Sequence, residues 1–247
     1  GLAVADGPPI ALPARTLVRV GAGRHALAQR TLPATGTPLA SFTETTLLPL
    51  YWQQATSVSL ATNTFFADQS LAAGNDDLLR IGSGASIAVS PGGTISLTGD
   101  TPIVIAGELR APGGRIAAEL ALNTDFGYDA RRAVWLAPGA RLDASAIAVA
   151  APADDAGRIT ALERHDGGTV RLEAAEGYVM GLAGSTIDVS GVRAELDVLV
   201  SSGLAGSRYQ RLPVALNAGR IEIASSNGFS LASQLAAQAD ASLGAAG

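Results

Sequence analysis

The chain has 247 residues with 29 Gly, 12 Pro, two His, no Cys and 4% aromatic residues, and its 17 basic residues, all Arg, stand against 22 acidic ones for a net charge of -5. That balance argues against a nucleic-acid partner, which needs a basic face to neutralise phosphates. Without Cys there is no disulfide framework, thiolate zinc site or cysteine nucleophile. A hydrophobic fraction of 47% excludes a disordered chain, but about a fifth of the residues are Ala, so the apolar bulk comes in small pieces.

Residues 1–10 carry no basic region leading into an apolar stretch, so the chain is expected to be an internal segment of something longer rather than a secretory precursor. Residues 1–75 are less regular and Pro-rich, and hold large residues such as Phe42, Tyr51, Trp52, Phe65 and Phe66. They are predicted to start a solenoid or to form a small element outside it. From 76 to 247 the pattern is repetitive. Four segments open on glycine and then alternate: Gly92-Gly93-Thr94-Ile95-Ser96-Leu97, Gly113-Gly114-Arg115-Ile116-Ala117-Ala118, Gly167-Gly168-Thr169-Val170-Arg171-Leu172 and Ala218-Gly219-Arg220-Ile221-Glu222-Ile223. The second glycines are spaced by 21, 54 and 51 positions, which reads as one turn and then twice about two turns plus a loop.

Runs at 103–109, 134–136, 141–143, 186–189, 195–198 and 229–231 share the same period of two. Alternation puts apolar and polar residues on opposite faces of an extended strand. Charges fall on the outward phase: Arg115, Glu119, Arg171, Glu173, Asp188, Asp197 and Glu222. Loops at 123–132 and 201–216 interrupt the repeat. Best-spaced for a membrane span is 144–153, which is short and bounded by Asp143 and Asp154, so no transmembrane segment is expected. The stretch around Leu235 has helical propensity, but Gly228-Phe229-Ser230-Leu231 leads into it with period two, and a strand or turn is predicted there. Short strands with self-similarity at about 20 residues predict an all-β right-handed parallel β-helix, in which each strand stacks on its equivalent one turn away. Small residues suit its narrow interior.

The succession Ala133-Val134-Trp135-Leu136-Ala137-Pro138-Gly139-Ala140-Arg141-Leu142-Asp143, then Gly167-Gly168-Thr169-Val170-Arg171-Leu172, then Gly184-Ser185-Thr186-Ile187-Asp188-Val189-Ser190-Gly191 resembles the filamentous haemagglutinin family of large bacterial exoproteins. Gly82-Ser83-Gly84-Ala85-Ser86-Ile87-Ala88-Val89 fits the same style, and the likeness covers the chain from about Asp76 onward. The resemblance implies a secreted, cell-surface protein exported through an outer-membrane partner transporter, and a β-helical shaft that takes part in adhesion to a host glycan or protein receptor. The Asn-Pro motif of the family's secretion domain does not occur, so the resemblance implies shaft rather than export signal.

No catalytic, cofactor-binding or metal-binding residue is assigned, and the chain is expected to be non-catalytic. The alternatives are a polysaccharide-active β-helix enzyme, which needs at least three carboxylates and an Arg in one groove, and a passive spacer in a contact-dependent toxin-delivery exoprotein. Candidate acids are Asp76-Asp77 and Asp154-Asp155, read as solvated turn residues, and the outward series Asp143, Glu173, Asp188 and Glu222. His165, predicted to lie in a polar loop, Arg164-His165-Asp166-Gly167, and His25 are too few to build a three-ligand site. Phe126, Tyr128, Arg131 and Arg132 form the most concentrated surface recognition chemistry, since aromatic and guanidinium groups anchor glycans and proteins well.

Overall fold

The computed structural model describes residues 2–4, 11–12, 17–20, 23–27, 43–62, 79–122, 131–201 and 206–239. Its strands fall into three parallel sheets that the chain visits in strict rotation. The first sheet holds Leu2–Val4, Ser57–Thr62, Thr94–Gly99, Arg115–Leu120, Thr169–Ala174 and Arg220–Ser225. The second holds Ala11–Leu12, Leu79–Ile81, Ile103–Ile105, Ala133–Leu136, Tyr178–Gly181 and Phe229–Leu231. The third holds Leu17–Val20, Ser86–Val89, Glu108–Arg110, Arg141–Asp143, Thr186–Asp188 and Gln234–Ala236. One strand from each sheet makes a coil, and the described residues make six, so the fold is the parallel β-helix that the repeat predicts.

Period-two alternation fixes the interior. Val58, Ile95, Ile116 and Val170 lie in one column of the first sheet, and Ile87, Leu109, Leu142 and Ile187 in one of the third, all at most 1% exposed. Each such side chain contributes about 1.5–3 kcal/mol by leaving water, and like stacks on like because neighbouring coils repeat the same backbone. Ala118 takes its place in the column of Leu60, Leu97 and Leu172, and shows how small residues fit the narrow interior. On the last described coil the inward Phe229 and Leu235 are 64% and 50% exposed.

The repeated second glycine has a steric cause. Gly93, Gly114, Gly168 and Gly219 stack at the corner that opens the first sheet, and a Cβ on Gly168 would overlap the carbonyl oxygen of Gly114. The same close approach lets the Arg115 amide donate to Gly93 O and the Thr169 amide to Gly114 O, each at 2.9 Å. Gly107 does similar work elsewhere. It turns the chain between Ile103–Ile105 and Glu108–Arg110, so the run predicted at 103–109 is two strands on two sheets.

Two expectations about spacing are corrected. Arg115 pairs with Thr169, and Thr169 with Arg220, so the intervals of 54 and 51 positions each hold a single turn, not two. The extra length lies largely in antiparallel hairpins that leave the helix at the corner from third sheet to first: Ile147–Ala150 with Leu162–His165, and Arg193–Ser201 with Ser207–Ala215. Gly23–Leu27 and Thr43–Leu47 form a third hairpin at the same corner three to four coils earlier. The run at 195–198 and most of the predicted loop 201–216 therefore belong to a side ribbon rather than to a coil and a loop. At the two remaining corners of this kind, Pro91-Gly92-Gly93 and Pro112-Gly113-Gly114 make short turns instead.

Candidate functional site

Three regions outside the helix core gather polar chemistry. On the outer face of the first sheet, Ala117, Arg171 and Glu222 share one column, and Glu119 and Glu173 the next. Arg171 hydrogen-bonds Glu173 from Nε at 2.9 Å and from Nη2, and lies 3.7 Å from both Glu119 and Glu222. These carboxylates, Glu173 foremost, hold the Arg171 guanidinium above its ordinary value. Arg220 donates to Glu222 at 3.3 Å, and Arg115 lies 3.7 Å from Glu119. Three carboxylates do surround one Arg here, but the guanidinium occupies their centre and the face is an open strand surface. Among the described residues no group of three or more His, Asp or Glu is placed to hold a metal ion.

The second region is the pair of later hairpins. Asp197 is buried, accepts from Arg211 at Nε (3.0 Å) and Nη2 (2.9 Å), and also accepts from the Ile159 amide at 2.9 Å, while its own amide donates to Ile159 O. The Arg211 hydrogen bonds, and then the Ile159 amide, pull the Asp197 carboxyl below the usual Asp range. Asp197 thus docks one hairpin on the other rather than facing outward as its alternation suggests. Arg158 stacks 4.0 Å from the Tyr209 ring centre and donates to Asp154 at 2.7 Å. Asp154 also accepts from the amides of Ala156 and Arg158, so it is the turn residue its sequence predicts, and the backbone and side-chain hydrogen bonds from Arg158 lower its pKa.

His165 is not in a loop. It ends a hairpin strand, its Nε2 lies 2.9 Å from Glu163 Oε1, and it packs over Gly92 and Gly113 at the helix corner. The adjacent Asp166 instead accepts from the Asn217 amide at 2.9 Å and from its side chain at 3.0 Å.

The third region is a groove of about 330 Å³ along the outer face of the third sheet. Ser86, Glu108 and Arg110 line its floor; Leu47, Leu50, Pro91, Pro112 and Ile147 line its sides. Leu47 ends the first hairpin, Leu50 starts the 3-10 turn Leu50–Trp52 on the strap that returns to the helix, and Ile147 starts the second hairpin. Register brings Glu108 beside Arg141 and Arg110 beside Asp143, and each strand carries the opposite charge two residues on. The result is a two-by-two chequerboard of alternating sign, of which Glu108 and Arg110 line the groove while Arg141 and Asp143 stand beside it on the next coil. Its pairs are long: Arg110–Asp143 3.6 Å, Arg141–Glu108 3.9 Å and Arg141–Asp143 3.9 Å. Asp143 Oδ1 is taken by Ser145, from its amide at 3.1 Å and its hydroxyl at 2.6 Å.

The residues singled out from sequence are placed as follows. Phe126 and Tyr128, with Asp76 and Asp77, lie outside the described residues. Arg131 is exposed, but Arg132 is 5% exposed and turned inward. It donates to Glu176 and to Ala121 O, each at 2.8 Å, and so ties the end of a first-sheet strand to the next coil instead of offering a surface anchor. The outward acids divide: Glu173 and Glu222 sit on the first sheet, Asp143 and Asp188 side by side on the third. The groove was not anticipated. Its signal in the sequence is the reversed charge order of Glu108-Leu109-Arg110 and Arg141-Leu142-Asp143. Compared with known proteins, the chain matches no family model, no curated protein and no solved structure.

Proposed function

We propose that the chain is a non-catalytic shaft segment of a large secreted bacterial exoprotein of the filamentous haemagglutinin type, which displays side elements for attachment at the cell surface. The observation that carries this reading is the placement of the hairpins: all three described ones leave the β-helix at one corner. A ladder of parallel strands supplies stiffness, with coils about 4.8 Å apart, and side ribbons from one edge present variable surface without breaking the stack. Export by a partner transporter and a host glycan or protein receptor follow from the sequence resemblance and belong to the same proposal.

Attachment is the test. Cells displaying this segment should adhere to host cells or abiotic surfaces better than cells displaying a version in which each hairpin is replaced by a short Pro-Gly-Gly corner. Equal adhesion sinks the display reading. Release of reducing sugar from polysaccharide by the purified chain would instead establish the enzyme alternative.

A further inference from the structure

We infer that the groove on the third sheet is a binding site for an uncharged oligosaccharide lying along the helix axis. Its floor holds donors and an acceptor in excess of what the protein uses. At 3.6 Å the ion pair of Arg110 with Asp143 exceeds hydrogen-bond length, so among the described residues its guanidinium N–H groups donate to no protein acceptor, and the 3.9 Å pairs of Arg141 on the next coil, beside the groove, are as open. Glu108 accepts a single long hydrogen bond, from Ser86 at 3.4 Å. These groups are half exposed and held in place by strand register, with side chains 53%, 54% and 41% accessible for Arg110, Arg141 and Glu108. Glu108 and Arg110, the two charged residues that line the groove, cancel and leave the floor without net charge, so it does not select an anion or a cation.

The chequerboard suits a hydroxyl more than an amide. A hydroxyl set between a guanidinium and a carboxylate accepts from one and donates to the other, whereas a peptide N–H only donates and a C=O only accepts. The sides complete the match. Leu47 and Leu50, 44% and 47% exposed, with Pro91, Pro112 and Ile147, present aliphatic surface to the C–H face of a sugar ring. Trp52, 58% exposed, stands on the same turn as Leu50 and carries Tyr51 edge-on against it. The volume lies at the lower end of ligand sites, roughly 300–1,000 Å³. Coils repeat every 4.8 Å or so, close to the length of one sugar ring along an extended glycan. The site is separate from the attachment reading, because the purified chain binds or fails to bind whatever the displaying cells do.

The experiment is saturation-transfer NMR and calorimetry on the whole chain with xylohexaose, cellohexaose and mannohexaose, a heparin-derived hexasaccharide, and an uncharged Ser/Thr/Asn peptide. At least one neutral hexasaccharide is expected to bind with an affinity indifferent to salt. The charge-conserving pair Glu108→Gln with Arg110→Gln should weaken it about tenfold or more, and Arg171→Gln, on the other face, should leave it unchanged. If the double variant does not fold by circular dichroism, Leu50→Asn on the strap serves in its place. Binding of the heparin fragment or the peptide alone, no binding of any neutral hexasaccharide, or full affinity in the groove variants each overturns the site.

Discussion

The outer faces of the first and third sheets carry the same elements, Arg and carboxylate two residues apart on neighbouring strands, and end in opposite states. On the first sheet the charges close on one another: Arg171 on Glu173, Arg220 on Glu222. On the third, the corresponding pairs stay 3.6–3.9 Å apart beside a walled groove. Competing hydrogen bonds distinguish them. Glu173 meets the Arg on its own strand, whereas Asp143 is turned toward Ser145 by two hydrogen bonds and Glu108 accepts from Ser86. Charge spacing along a strand therefore does not say whether the charges satisfy each other.

The comparison holds only while the shared frame holds, and the largest effect comes from breaking that frame. Gly168→Ala drives a methyl into the Gly114 carbonyl at the corner between the two faces and should destabilise at or above the upper end of about 1–3 kcal/mol, read by chemical denaturation. Next come the columns beneath the faces. Leu142→Ala and Leu172→Ala, both fully buried, should each cost about 2–5 kcal/mol, and a marked inequality would mean that the two sheets are not equally packed.

A smaller change separates the faces themselves. Arg171→Ala leaves Glu119, Glu173 and Glu222 without their shared cation and should lower the melting midpoint, less so at high salt. Arg110→Ala should leave the midpoint almost unmoved, because its ion pair is long and half exposed. The mildest effect concerns the hairpins. The native state holds Asp197 below its ordinary value, so its contribution is complete above the unfolded pKa of about 4 and fades as pH falls below it. Limited trypsin cleavage at Arg158 and Arg208, after brief exposure to graded acid, should rise below that point in the native chain and be already raised at neutral pH in Asp197→Asn.

Much of the coil was legible. Alternation at Thr169–Ala174 or Thr186–Asp188 gives inside and outside because a strand has only two faces, and the glycine column shows because no other residue fits there. The hairpins were not, since an antiparallel ribbon alternates with the same period as a coil strand, and 195–198 reads identically in either. Arg132 looked like surface next to Arg131, because its partner Glu176 lies on the following coil. The groove was hidden for the same kind of reason: its parts come from residues 47–50, two successive coils and the start of a hairpin near 147.

The sequence by itself determined that this is a parallel coil with an aliphatic, Ala-tolerant interior and glycine corners, because those constraints act within a few residues and repeat. Only the tertiary structure decided which corners extend into hairpins and which charges meet. Those outcomes depend on the register between coils, where the contacting residues stand 21 to 69 positions apart and a carboxylate already held by a nearby hydroxyl leaves its Arg pair open.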